Sequence, residues 1–350
     1  MEKQTNKNAK EMKKVRFGVI GTNTITDKVL AGAREDERFE VTAVCSRTKE
    51  RAEEFAARHN IPHTFTSLED MAKSPDVDAI YIATPNALHA SQSILCMKHG
   101  KHVLCEKPLA SNANEVRRMI EAANTHNVVL MEAMRTTVTP NFKAVMQNLS
   151  AAGTIRRYFA AYCQYSSRYD RYKAGELPNA FNPELSNGAV MDIGIYTIYP
   201  LVVLFGKPDS IQATSVKLPS GVDGEGSVLM RYKNGMDAVV LYSKIADSTL
   251  TAEIQGEAGT IQLSRINVLS APTFYPRPTE KHGTTTGISW AQPDNHDHYY
   301  HEVSEFMDVI LNGQHQSTLN SHQNSLTTIE IIDEIRRQSG IVYPADAAKS

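Results

Sequence analysis

Residues 15–30 read VRFGVIGTNTITDKVL: an apolar run, a glycine, then a helix-like stretch that continues to residue 34. The same succession recurs along the first third of the chain. FEVTAVC (39–45), AIYIA (79–83), KHVLC (101–105) and VVLM (128–131) read as further strands, with helices predicted over 48–58, 87–99 and 112–125. In RTKERAEEFAA, Ala52, Phe55 and Ala56 share one face and charges occupy the other. Near-continuous apolar strands alternating with helices predict an α/β, doubly wound parallel sheet covered on both faces. Ser111 or Asn112 is placed to cap the helix after Pro108, with Glu115 in its first turn.

After about residue 135 the rhythm changes. TPNFKAVMQNL (139–149) reads as a helix, and the long runs RRYFAAYCQYS, DSIQATSVKLP, GSVLMRY, MDAVVLYSKI, LTAEIQG and GTIQLS as strands. Turn signals at Asn234-Gly235 and Glu257-Ala258-Gly259 predict a large, mostly antiparallel sheet, giving a second domain of α+β type. GAVMDIGIYTIYPLVVLFG (188–206) is an apolar helix within this half, 277–297 a long surface loop, and 299–312 and 321–338 two terminal helices. The expected division is a disordered leader at 1–13, a dinucleotide-binding domain at 14–135 and a second domain at 136–350.

A chain of 350 residues exceeds one comfortable core, in keeping with two domains. With 37 basic and 39 acidic residues the net charge is −2, which supplies no general drive toward nucleic acid or an anionic membrane. No apolar run is expected to approach the roughly 20 residues that span a bilayer. The polar start MEKQTNKNAKEMKK does not read as a secretory signal. Cys45, Cys96, Cys105 and Cys163 lack CxxC spacing, which favours reduced thiols in a cytoplasmic protein. His296, His298 and His301 lack the spacing of a zinc-binding helix, so no metal is assigned.

A dinucleotide site needs a tight turn after the first strand and a helix N-terminus aimed at the pyrophosphate. Gly18 and Gly21 fit a glycine-poor form of that turn, with Thr22, Asn23, Thr24 and Ile25 completing the loop. Asn23 and Thr26 stand where further glycines would be, and asparagine tolerates a left-handed backbone there. At the end of the second strand, Ser46 and Arg47 replace the acidic residue that would hold the ribose of NAD. A guanidinium suits a 2′-phosphate, which favours NADP(H) and leaves NAD(H) as the alternative. A merely solvent-facing arginine fits the same letters. Thr84, Pro85, Asn86 and His89 follow the next strand, at the edge where such sheets bind ligands, or simply start a helix.

The order GVIGTNTIT, VCSR, ATPNALH, GKHVLCEKPLA, GAVMDIGIY and IIDEIRRQSGIVYP resembles the glucose–fructose oxidoreductase / inositol dehydrogenase (Gfo/Idh/MocA) family over residues 14–345. The EKP and D-x-G-x-Y segments together carry the likeness. The tyrosine of D-x-G-x-Y resembles the dihydrodiol dehydrogenase and glucose–fructose oxidoreductase branch more than inositol dehydrogenases, which use histidine there. The resemblance implies a Rossmann domain, a C-terminal domain on an open sheet, and a nicotinamide cofactor between them. It further implies a sugar, polyol or related cyclic hydroxyl or carbonyl substrate, a cis Lys107-Pro108 bond, and homodimers or homotetramers built on the outer sheet face. Arg135 and Thr136 depart from the family, standing where relatives often carry Trp and other substrate-wall residues.

Within that resemblance, hydride transfer needs a group to handle the hydroxyl proton and a cation for the developing alkoxide. Lys107 and Tyr196 are the candidates, since an ammonium beside a phenol favours the phenolate. Asp192 lies four residues before Tyr196, on the same helical face, to orient substrate or hold Lys107. Glu106 positions the lysine or the nicotinamide ribose. Arg168 is a further candidate for substrate contact. Against these stand plainer readings: an exposed Glu106–Lys107 pair, a core Tyr196 and a surface Arg168. A carboxylate inside AVMDIGI is harder to explain away, because burial without a partner is costly. The alternatives in function are a glycoside hydrolase of the same family that uses its cofactor transiently, and a non-catalytic NAD(P)-binding regulator. Retention of both Lys107 and its downstream partners favours the enzyme.

Overall fold

The computed structural model describes residues 12–280 and 283–347, so the leader expected at 1–13 lies almost wholly outside the described residues. The first half contains β1 (Val15–Ile20), α1 (Thr24–Ala33), β2 (Phe39–Cys45), α2 (Lys49–His59), β3 (His63–Phe65), α3 (Leu68–Lys73), β4 (Ala79–Ile82), α4 (Asn86–Lys98), β5 (His102–Glu106), α5 (Ala113–His126) and β6 (Leu130–Ala133). Six parallel strands lie in the order β3-β2-β1-β4-β5-β6. Sequence reading misses β3 and α3, which at three and six residues are too short to show a period. The order reverses between β1 and β4, which opens a crevice at their carboxyl ends. Asn112 supplies the cap of α5, accepting from the Glu115 amide at 3.0 Å, while the Glu115 carboxylate accepts from the Ser111 amide.

The second half runs through α6 (Pro140–Asn148), β7 (Ile155–Cys163), α7 (Tyr169–Lys173), a π-helical turn Val190–Gly194, α8 (Ile195–Phe205), β8 (Ser210–Lys217), β9 (Asp223–Arg231), β10 (Asp237–Ser243), β11 (Ala252–Gly256), β12 (Gly259–Leu263), β13 (Thr273–Pro276), β14 (Ile288–Ser289), α9 (Tyr300–Leu311) and α10 (His322–Gln338). Its eight strands pair antiparallel except β7 with β10. Asn234-Gly235 closes the β9–β10 hairpin, with Gly235 at φ 85°, and Glu257-Ala258 joins β11 to β12. The two-residue β14 interrupts the stretch read as loop.

One expectation needs correcting. Pro183–Phe205 is long and apolar enough by composition to cross a membrane, although no such run was expected. Of its most apolar window, 72% is buried inside the fold, where α8 packs on β7, β10 and α10. It is a core helix, hydrophobic all round because it is surrounded.

Position in the chain and position in space part company at α9. Although late in the sequence, it packs on the first sheet, with Phe306 5.9 Å from Phe17 between ring centroids. A second core runs unbroken from α4 and α5 through α10 and α8 to the inner face of the second sheet. The halves are therefore joined by packed apolar surface rather than by a bare linker.

Arg336 of α10 pins this junction. Its guanidinium, 4% exposed, donates to Asp333 at 2.7 Å and Asp346 at 2.8 Å, and Asp333 in turn accepts from the Ala113 amide that starts α5. Arg336→Met leaves two carboxylates unpaired. Because those carboxylates are 28% and 26% exposed, the expected loss is about 2–3 kcal/mol, below that of a fully buried pair. Urea denaturation with an unchanged midpoint would show that solvent already satisfies the cluster.

Candidate active site

The crevice between β1 and β4 opens into a cavity of ≈ 630 Å³. Gly21 forms its floor at φ 102°, and a Cβ there would stand 2.4 Å from the Ala83 carbonyl oxygen, so no larger residue fits the turn. Asn23 is not left-handed as expected: at φ −115° it caps α1, accepting from the Ile25 and Thr26 amides and donating to the Ala83 carbonyl at 2.7 Å. The buried Thr26 hydroxyl donates to the Gly21 carbonyl. Hydrogen bonds thus hold a turn that glycines would otherwise shape. Gly18 is not brought to the cavity. It lies within β1 beneath α3, where a Cβ would meet the Met71 sulfur at 3.0 Å.

Thr22, Thr84 and Pro85 line the same cavity, with Ser46 and Arg47 where β2 ends. Arg51, one turn into α2, joins Arg47 there. Sequence reading passed over it, though RTKER carries this second arginine four residues after Arg47. The glycine cradle, the start of α1 beside it and the two arginines fit an anionic dinucleotide.

An adjoining cleft of ≈ 460 Å³ shares Asn23, Thr84 and Pro85 with that cavity. It gathers Thr24, Ile25, Asn86, Glu106, Lys107, Arg168, Asp192 and Tyr196. His89 also borders it, but its ring is wholly buried, with Nδ1 2.9 Å from the Pro108 carbonyl and Nε2 2.8 Å from the Thr84 carbonyl. It braces two loops. Asn86 likewise donates to the Ser186 carbonyl at 2.8 Å across the cleft. Arg168 is exposed at the cleft edge.

Lys107 does not pair with its neighbour Glu106. Its Nζ donates to the Asp192 carbonyl at 2.8 Å and to Asp192 Oδ1 at 3.1 Å, across 85 residues. The lysine is fixed by a cis Lys107-Pro108 bond, by His89 on Pro108, and by the buried Glu132 carboxylate, which accepts from the Leu109 amide at 3.0 Å. Burial pushes Glu132 up to about 7. Glu106 accepts from the Tyr81 hydroxyl at 2.6 Å.

Asp192 sits in the π-helical turn, where the Ile195 amide reaches back to the Val190 carbonyl. Asp223 steadies the start of that turn, accepting from the Ala189 and Val190 amides at 2.9 and 2.8 Å. The second Asp192 oxygen accepts from Lys244, a side chain only 4% exposed that follows β10. Sequence reading missed Lys244. Its signal was the one that marked Lys107, a charge at the end of an apolar strand.

The phenol ring of Tyr196 lies 4.9 Å from the Lys107 ammonium and 5.7 Å from the Arg135 guanidinium. Lys107 favours the phenolate, as expected, but other contributions outweigh it. Burial raises the Tyr196 pKa, Lys107 and Arg135 pull it down, Glu106 and Glu302 raise it, and the balance stays above the usual tyrosine value. Burial also works against the charged form of Lys107, but Tyr196, Asp192 and Glu106 outweigh it and hold the pKa above the ordinary lysine range. For Asp192, burial is overcome by Lys107 and Lys244, which keep it well below the usual carboxylate range. The cleft therefore holds a permanent ammonium, a permanent carboxylate and a protonated phenol. Glu302, 1% exposed, was also missed, although Glu302, Val303, Phe306 and Met307 share the buried stripe of α9.

Two of the three histidines of the 296–301 segment pair with carboxylates: His296 lies 2.8 Å from Glu35 and His301 2.7 Å from Asp294. Among the described residues, no three His, Cys, Asp or Glu side chains group closely enough to hold a metal ion.

A nucleotide crevice opening onto an ammonium, a carboxylate and a phenol defines a two-domain oxidoreductase of the nicotinamide-dependent class. Residues 15–134 match the oxidoreductase family with an NAD-binding Rossmann fold, and residues 145–262 match the GFO/IDH/MocA C-terminal domain. The chain belongs to this family. It is 51% identical over 337 residues to scyllo-inositol 2-dehydrogenase (NADP(+)) IolU of Bacillus subtilis, covering 95% of this chain and 100% of that one. It is 31% identical to trans-1,2-dihydrobenzene-1,2-diol dehydrogenase of Mus musculus, covering 95% and 99%. The fold matches that of levoglucosan dehydrogenase in complex with NADH and levoglucosan, with TM-score 0.82 at 22% identity over 94% of this chain and 98% of that one. Tyr196 thus fails to separate the chain from inositol dehydrogenases, since a scyllo-inositol enzyme stands nearer than the dihydrodiol branch.

Proposed function

We propose that this protein is an NADP(H)-dependent dehydrogenase of cyclic polyols or related sugars, working through Lys107, Tyr196 and Asp192. The observation that carries the reading is the Lys107–Asp192 link between the end of β5 and the turn before α8, with the Tyr196 ring beneath the same ammonium. The similarity to an NADP-dependent scyllo-inositol dehydrogenase supports polyol and NADP(H) over the other members of each class. The persistence of the full ammonium–carboxylate–phenol set supports an enzyme over a regulator.

Gly21, Thr22, Thr24 and Ile25 would hold the cofactor backbone, Ser46, Arg47 and Arg51 its 2′-phosphate end, and Thr84, Pro85, Asn86 and Glu106 its nicotinamide half. When bound, that group accepts or returns a hydride at the substrate carbon. Lys107 stabilises negative charge on the reacting oxygen, as a cation that stays protonated throughout the neutral range. Tyr196 gives its proton to that oxygen in reduction and, as phenolate, takes it in oxidation. Asp192 holds the Lys107 ammonium in place, and Lys244 occupies its other oxygen, so that the carboxylate cannot swing away. Arg168 meets the outer part of the substrate at the cleft edge.

The outer face of the second sheet is the expected surface for homo-oligomers. Val239 stands in register between Phe159 and Leu229, all half-buried, which supplies apolar surface for such a contact.

Because the Tyr196 pKa lies above about 10, its phenolate fraction rises tenfold per pH unit across the neutral range. Polyol oxidation should climb with pH from about 7 to about 9.5 with a logarithmic slope near one, and carbonyl reduction should stay flat. Tyr196→Phe should remove the climb and cost about 10²–10⁴-fold in kcat. Lys107→Met should lower kcat by a similar factor with cofactor affinity retained, and an unchanged kcat would sink the assignment. Arg47→Ala should weaken NADPH binding about tenfold or more in fluorescence titration and leave NADH alone. Equal effects on both would place the guanidinium away from the 2′-phosphate. Light scattering should report a dimer or tetramer that Val239→Glu shifts toward monomer.

A further inference from the structure

Among the described residues, eight buried side-chain polar atoms have no hydrogen-bond partner. Five are single hydroxyls, and a sixth is Nε of Arg336, whose other nitrogens are paired. The remaining two, Arg135 Nε and Glu302 Oε1, belong to residues that line the same cleft as Lys107. They reach it from distant parts of the chain. Arg135 comes from the turn after β6 and is held between the rings of Tyr196 and Tyr299, at 5.7 and 4.9 Å. Glu302 comes from the first turn of α9 and is 1% exposed.

A buried donor or acceptor left unpaired destabilises the free protein, and native folds keep few of them. Two side chains of one cleft wall, each with an unpaired atom buried just behind it, one a donor and one an acceptor, leave polar capacity that an entering ligand completes as the side chains turn toward it. The cleft carries fixed charge of both signs, from Lys107 and Arg135 against Asp192, while burial pushes the Glu106 and Glu302 carboxyls above the usual carboxylate range, a balance that suits a neutral, oxygen-rich ligand better than an ion. Each hydroxyl of a polyol both donates and accepts, so adjacent hydroxyls on a ring match a neighbouring donor and acceptor. We propose that Arg135 and Glu302 form a substrate-reading pair for a cyclic polyol, Arg135 donating to one ring hydroxyl and Glu302 accepting from the next. This rests on the polyol reading given above. Such a site discriminates strongly against a substrate lacking the hydroxyl, because its own buried groups are then left unpaired.

The test uses the full-length enzyme with NADP(H), scyllo-inositol, myo-inositol and a mono-deoxy inositol. Arg135→Met and Glu302→Leu should each raise the polyol KM at least tenfold and leave the NADPH dissociation constant within twofold. The preference for the inositol over its deoxy analogue should shrink at least tenfold at one ring position. Glu302→Gln keeps an acceptor and should stay within threefold of the parent. Since the Glu302 oxygen is unpaired in the free protein, cofactor-free Glu302→Leu should melt at or above the parent temperature. A polyol KM within twofold of the parent overturns the proposal, as does melting lowered by about 5 °C or more with discrimination intact. A rise in the NADPH dissociation constant that matches the rise in KM overturns it too, and assigns the pair to the nicotinamide carboxamide, which also presents a donor beside an acceptor. If the parent oxidises none of the polyols, the functional reading fails first, visible without any variant, and this proposal falls with it.

Discussion

Asp192 is shared by two ammonium groups that arrive from different sheets, Lys107 from the end of β5 and Lys244 from the end of β10. Removing one member of such a set leaves charge in a poorly solvated place, at a cost of about 3–5 kcal/mol where burial is complete. The carboxylate is 33% exposed, so part of that cost is relieved by solvent, and the exposed part is what faces the cleft. The link therefore fixes how the two sheets meet and leaves one face of the site open. Everything chemical in the cleft is placed relative to it.

The surrounding structure keeps that link from relaxing. His89 and Glu132 hold the turn after Lys107, Asp223 holds the start of the turn that carries Asp192, and Asn320 donates to the Glu132 and Met134 carbonyls at 3.1 and 3.0 Å. These are buried polar groups with satisfied partners, which favour a single arrangement. The apolar core that runs through α10 and α8 adds a packed contact between the halves. Substrate chemistry in this protein therefore rests on a stiff frame, and the unpaired atoms of Arg135 and Glu302 stand out against it.

Much of the fold was legible because it was periodic. β1 and β2 begin and end where the apolar runs do, and α2, α4, α5 and α10 lie within a residue or so of the predicted stretches. The short β3 and α3 escaped because a period needs more residues than they have. Pro183–Phe205 passes for a membrane span by composition, yet its apolar character reflects burial among other elements, which a local pattern does not contain. In the site, Lys107, Asp192 and Tyr196 were legible through a resemblance between two distant motifs. The backbone of Asn23 was misjudged because a cap and a left-handed turn both favour asparagine.

The sequence by itself determined the α/β alternation, the glycine-poor nucleotide turn, the arginine after β2 and the two charged motifs, since each is written in neighbouring residues. Tertiary structure decided which charges meet. Glu106 and Lys107 are adjacent in sequence, yet Lys107 pairs with Asp192 and Glu106 with Tyr81. Lys244 and Glu302 enter the site only because β10 ends and α9 begins beside it. The net acidity of Tyr196 was also out of reach, because burial and four neighbouring charges compete there and their sum depends on distance.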